Sequence, residues 1–143
     1  MTRRRKQQAL TTFLTRVNGK GRSMIDLEGS IDCLYVKNRH PGCAIGCQIT
    51  NVKLKKEIKE TNYNSSEISS LLDEFPEVKN ILGIENHEDL IFYRELQILH
   101  DYEVSWNGKF LVLDMVRAFV KKYNLSIPKS VIYKLVSRPN TFK

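Results

Sequence analysis

No acidic residue precedes Asp26, although seven basic ones do: Arg3, Arg4, Arg5, Lys6, Arg16, Lys20 and Arg22. The other sixteen basic residues are matched by sixteen acidic ones, so the net charge of +7 reads as an excess confined to the first 22 residues. A basic stretch without counter-charges suggests an acidic partner: a phosphate backbone, an acidic protein surface or an anionic membrane. No apolar run approaches ~20 residues, which excludes a membrane-spanning helix. Polar Gln7-Gln8 follows the basic start where a secretory signal would carry an apolar block. Three cysteines, an odd number, speak for reduced thiols in a cytoplasmic chain and against a disulfide framework. A phosphate-binding glycine loop, a complete catalytic motif and a metal signature are all missing.

What is present begins at Cys33-Leu-Tyr35, followed by Asn38-Arg39-His40-Pro41-Gly42 and then Cys43-Ala-Ile-Gly-Cys47. Two short apolar segments around a turn-forming run predict an antiparallel hairpin, with strands near 31–36 and 43–49. Glu28-Gly29 reads as a turn just before it. Cys33, His40, Cys43 and Cys47 are zinc-type ligands, but they lack the close C-x-x-C pairing of common zinc knuckles. Buried thiols acting as small hydrophobes fit the stretch better, with Gly46 admitting a neighbouring backbone or ring. No metal and no cofactor are expected.

The remainder reads as helices. Leu10, Phe13, Leu14 and Val17 share one face of a helix over 9–17, stopped by Asn18-Gly19. A charged segment follows at 52–61, where Glu57 and Glu60 interleave with lysines as on a solvated face. Asn64-Ser65-Ser66-Glu67 offers a cap for a helix ending near Phe75. Pro76 starts the next, Gly83 ends it, and Asn86 to Asp89 open a longer one. Residues 110–123 are apolar on almost every side and predict the central helix. Pro128 opens a last helix, which Pro139 stops. At 143 residues and 41% hydrophobic, the chain fits one domain with one core. The fold class is α+β: a mainly helical single domain over 1–143, with a small antiparallel hairpin near 31–49. Residues 1–8 read as a mobile basic arm and 126–143 as a C-terminal extension. Cys33, Tyr35, Cys43, Ile45, Leu96, Leu99, Phe110, Leu113, Val116, Phe119 and Val120 are the expected core.

His100-Asp101 raises two catalytic readings: a metal phosphohydrolase, and a thiol nucleophile (Cys33 or Cys43) with His100 as base. The first lacks further histidines at useful spacing. Against the second, adjacent helical residues point about 100° apart, so Asp101 is not expected to orient His100. The structural alternative has His100 bonding a carbonyl or Tyr35 and Asp101 capping the next loop. Trp106 is expected to pack over the edge of the core. No catalytic residue is assigned.

Ser23, Gly29, Cys33-Leu-Tyr35, Gly42-Cys43-Ala-Ile-Gly46, Leu96-Gln97, His100-Asp101, Trp106 and Tyr123-Asn-Leu125 form a pattern over residues 22–125. It resembles small uncharacterised accessory proteins of tailed bacteriophages and prophages. That resemblance, carrying no established activity of its own, joins the missing catalytic parts and the basic arm in an expectation of a non-enzymatic protein in the cytoplasm of an infected bacterium, binding and inhibiting or modulating a host macromolecule. A host protein or protein–nucleic acid complex is the expected partner, of a defence or transcription system. The alternatives are a non-specific nucleic-acid binder using the basic N-terminal arm and, last, a cysteine- or metal-dependent hydrolase. The seven basic residues from Arg3 to Arg22 are the expected contacts, with no membrane involved.

Overall fold

Ala9, Leu10, Phe13, Leu14 and Val17 recur at helical spacing and are all buried, which makes helix α1 (Arg3–Val17) one wall of the core. The computed structural model describes residues 1–27 and 30–137. Helix α1 begins six residues before the expected start. Thr2 caps it by accepting the Arg5 N–H at 3.1 Å, and the Met1 amino group pairs with Glu85 at 2.9 Å and Asp89 at 3.2 Å. The expected mobile arm is therefore corrected: residues 3–8 are the first turns of a core helix.

The small antiparallel sheet lies earlier than the 31–49 expectation. Strands β1 (Met24–Leu27) and β2 (Ser30–Cys33) pair in the register Met24↔Cys33 and Asp26↔Ile31. The Glu28-Gly29 turn falls outside the described residues. The run from Gly42 to Cys47 is buried at every position, so it has none of the alternating exposure that a hairpin strand needs. It forms a buried loop ending in a short 3₁₀ turn, Gly46–Gln48. Gly46 makes this possible, because a Cβ there would sit 1.8 Å from the Tyr35 carbonyl oxygen.

Five further helices carry the middle of the chain and its next layer: α2 (Val52–Lys59), α3 (Ile68–Glu74), α4 (Pro76–Leu82), α5 (His87–Asp101) and α6 (Leu113–Tyr123). Their signals are those read from sequence, save that α6 starts at Leu113 where a helix from 110 was expected. Pro76 occupies the first turn of α4, Gly83 ends it with φ +74°, and Asn86 caps α5 by accepting the Asp89 N–H at 3.0 Å. Within the expected capping run 64–67, Glu67 caps α3 and Asn64 does not. Instead Asn64 is buried and brackets Val36, accepting its N–H and donating to its carbonyl at 2.8 and 2.9 Å.

Helix α5 holds the centre in place of 110–123. Phe92, Tyr93, Leu96, Leu99 and His100 are all buried on it. Residues 106–111 form a second small hairpin, β3 (Trp106–Asn107) with β4 (Phe110–Leu111), turning at Gly108 with φ +62°. Alternation along β4 turns Leu111 inward and leaves Phe110 exposed, against its expected place in the core. The segment 125–137 is packed, not trailing. Gln7 Nε2 donates to the Ser126 carbonyl at 2.8 Å, and the Ser126 N–H returns to Gln7 Oε1 at 2.9 Å. Helix α7 (Lys129–Ile132) buries Val131. Val136 then bridges Val112 in parallel, with Leu113 N–H donating to the Val136 carbonyl at 2.7 Å. Pro139 lies outside the described residues. No helix among the described residues is long and apolar enough to cross a membrane.

Candidate functional site

Ser23, Cys33, Gln97, His100, Asp101 and Trp106, scattered through the sequence pattern, meet in one hydrogen-bonded cluster. The end of α5, the end of β2 and the buried 42–47 loop converge on it. Ser23 donates its backbone N–H to His100 Nε2 at 2.9 Å and its hydroxyl to the Leu34 carbonyl at 2.7 Å. His100 Nδ1 lies 2.7 Å from Asp101 Oδ1, and Trp106 donates its indole N–H to the His100 carbonyl at 2.7 Å. Gln97 Nε2 donates to Asp101 Oδ1 at 2.7 Å and to Cys33 Sγ at 2.9 Å. The expectation that Asp101 would not orient His100 is corrected. Asp101 is the last residue of its helix, and its short side chain folds back onto the ring. His100 binds neither a carbonyl nor Tyr35, whose hydroxyl donates to the Ser66 carbonyl at 2.6 Å.

Cys33, His100 and Asp101 present ligand atoms within 4.8 Å of one another. Cys33 opens onto a groove of about 650 Å³ lined by Ile31, Ile98, Arg94 and Asp101. This is the geometry in which thiol or metal chemistry must be judged, and the tautomer of His100 decides it. A backbone N–H can only donate, so Nε2 carries a lone pair and the ring proton sits on Nδ1, facing Asp101. Neither nitrogen then has a lone pair to offer Cys33 as a base, or to offer a cation inside the triangle. Binding a metal through Nδ1 would require an imidazolate or the loss of the Ser23 bond. These residues do not fit a metal centre.

The thiols point the same way. The hydrogen bond its S–H gives to Cys43, burial and the nearby Asp101 charge push the Cys33 thiol far above the ordinary range. Burial pushes Cys47 up as well, and its Sγ–H donates to the Ala44 carbonyl. A protonated thiol is a poor nucleophile and a poor ligand. His40, the fourth member of the expected zinc-type set, lies apart from this cluster. Its Nε2 donates to the Gly21 carbonyl at 2.9 Å and its Nδ1 accepts the Gly42 N–H at 2.9 Å.

The basic residues expected to meet a partner are largely committed inside the fold. Arg3 donates to the Asn124 carbonyl at 2.6 Å, Arg5 to Ile81 at 2.6 Å, Arg16 to Cys47 at 2.6 Å and Arg22 to Asp101 at 3.0 Å. Three of those carbonyls lie in the closing turn or cap of α6, α4 and α5, where carbonyls lack intrahelical partners and the dipole favours cations. Lys6 sits over the rings of Phe92 and Tyr123. Only Arg4 and Lys20 of the seven have no side-chain partner among the described residues.

A second basic segment changes the expected charge pattern. Residues 115–143 hold seven basic side chains and no acidic one, so the middle of the chain is net acidic, not neutral. The fold lays the described part of that segment along α1, through Arg3 with Asn124, Gln7 with Ser126 and Asn18 with Lys134. Two acid-free stretches thus share one side of the molecule. The signal for the second is as plain as for the first, but it shows only when the acids are followed inward from both ends of the sequence. No protein-family model, curated protein or solved structure matches this chain.

Proposed function

We propose that this chain acts by holding a nucleic acid against a basic face, with no chemistry of its own. The observation carrying this reading is the side-by-side placement of the two acid-free stretches, α1 with its following loop and 115–137. Arg4, Lys20, Lys109, Lys129 and Lys134 project from this side or its rim without an ion pair among the described residues, and they would neutralise phosphates. The binding residues thus differ from the sequence-based expectation. Arg3, Arg5, Arg16 and Arg22 brace the scaffold, and Arg4 and Lys20 keep their proposed contact role. Salt-titrated binding of the purified chain to single- and double-stranded oligonucleotides tests it. Affinity should fall steeply with salt, with a slope proportional to the phosphates contacted. No binding at low salt would reject the reading.

A host-protein partner, in the cytoplasm of an infected bacterium, is the second reading. The phage-like pattern supports it, and so does the groove beside Cys33. Ile31 and Ile98 stand 59% and 45% exposed on its rim, an apolar edge of the kind that protein partners cover. Substituting Ile31 and Ile98 with serine should abolish co-purification of a bacterial protein under this reading and leave oligonucleotide binding unchanged.

A further inference from the structure

Asn18, just past the end of α1, ties three segments into one exposed patch. Its Nδ2 donates to the Lys134 carbonyl at 3.0 Å, and its Oδ1 accepts the Leu111 N–H at 2.7 Å. The N–H groups of Gly19 and Gly21 both donate to the Lys109 carbonyl, at 2.8 and 3.2 Å. Gly19 lies against the Phe110 ring, where a Cβ would be 3.5 Å from Cε1. The Val136 N–H donates to the Leu111 carbonyl at 3.0 Å, which holds the turn carrying residues 133 and 134 beside β4. The segments carrying Lys20, Lys109, Phe110, Tyr133 and Lys134 are therefore tied together, although they are far apart in the sequence.

Two properties set this patch apart from an ordinary solvated surface. None of its segments (11–25, 104–113 and 115–137) contains a carboxylate, and the three lysines make no ion pair within the described residues. Its two aromatic rings are also turned outward: Tyr133 is 93% exposed and Phe110 43%. Tyr133, so exposed, contributes almost nothing to the core, since stabilisation scales with the apolar area removed from water, whereas Phe110 rests one side on Gly19 and leaves the other open.

We infer that this patch is a stacking platform for single-stranded nucleic acid. The inference rests on the basic-face reading above and narrows it to unpaired strands. A duplex presents phosphates but hides the faces of its bases, so it would use the lysines and leave the rings idle. A single strand offers both, with phosphates on Lys20, Lys109 and Lys134 and bases on Phe110 and Tyr133. An acidic peptide would likewise engage the lysines alone.

The test uses the full chain with a labelled oligothymidylate and a duplex of equal length at low salt. Phe110→Ala and Tyr133→Ala should each weaken oligothymidylate binding about fivefold or more and leave duplex binding unchanged, and Tyr133→Ala should also leave the melting temperature unchanged. Tyr133→Phe should retain affinity. Lys109→Gln and Lys134→Gln should each reduce the slope of log K against log salt by about 0.7 on the single strand. Equal oligothymidylate affinity for the chain and both alanine variants overturns the platform while leaving the basic face standing. So does polyglutamate that competes fully and binds independently of the rings. Failure to bind either oligonucleotide overturns both readings.

Discussion

The backbone N–H of Ser23 donates to Nε2 of His100 across 2.9 Å, and this single bond fixes where the imidazole keeps its proton. The ring then donates to Asp101 and serves as a buried connector between α5 and the strand-leading loop. His100→Ala would leave the Ser23 N–H and the Asp101 carboxylate without that partner and open a cavity. The expected loss is about 3 kcal/mol in urea unfolding. A variant as stable as the parent would show that the ring does not brace the fold.

The thiols should behave as buried side chains. Cys33 reaches the groove, but its raised pKa leaves little thiolate near neutrality. Iodoacetamide at about pH 7.5 should therefore label native protein far more slowly than urea-unfolded protein, with Cys33 modified first. Rapid native labelling of Cys33 would reopen the thiol reading.

Gly46 has no room for a methyl group. With a Cβ 1.8 Å from the Tyr35 carbonyl oxygen, backbone must move in two segments at once. Gly46→Ala should cost at least about 3 kcal/mol, measured by chemical denaturation, whereas Gly108→Ala meets no atom within 4 Å and should be limited to the strain of its positive φ.

His40 gives the stability a pH dependence of defined sign. Burial lowers its pKa below the ordinary 6.5, opposed by the Gly21 carbonyl and reinforced by Lys37 and His100. The unfolded chain therefore takes up the proton first. Its contribution is fully present above 6.5 and is lost as the pH falls through the folded-state value. Melting temperatures between about pH 7 and 5 should fall more steeply for the parent than for His40→Ala. Parallel curves would exclude His40 as the source.

Deleting residues 1–7 should destabilise the domain. It removes Thr2 as a cap, the Arg3 and Arg5 bonds to two helix ends, the Lys6 contact and the Gln7–Ser126 pair. A drop of several degrees in melting temperature is expected; an unchanged value would restore the detachable arm.

Local signals carry much of the fold. Pro76, Gly83 and Asn86 act through their own backbone geometry, so their roles follow from neighbouring residues alone. The Cys43–Cys47 stretch misleads because continuous burial in a loop and continuous burial in a strand leave the same apolar run; only the contact of Gly46 with Tyr35, outside that run, separates them. Phe110 reads as helical because an apolar run hides where alternation takes over. The basic residues mislead most. Whether Arg5 serves a partner or the Ile81 carbonyl depends on a fold in which residues 76 apart touch, and composition cannot distinguish the two. Tyr133 and Phe110 draw no functional assignment from sequence, since exposure is a property of the assembled molecule.

The Gln7–Ser126 clasp bears on when activity can begin. Residues 7 and 126 lie 119 positions apart, so residue 7 is synthesised long before its partner. Until then the cationic leading segment lacks its neighbour, and the surface that would grip a strand does not exist. Under the proposed basic-face reading, strand binding would thereby wait until the clasp has closed.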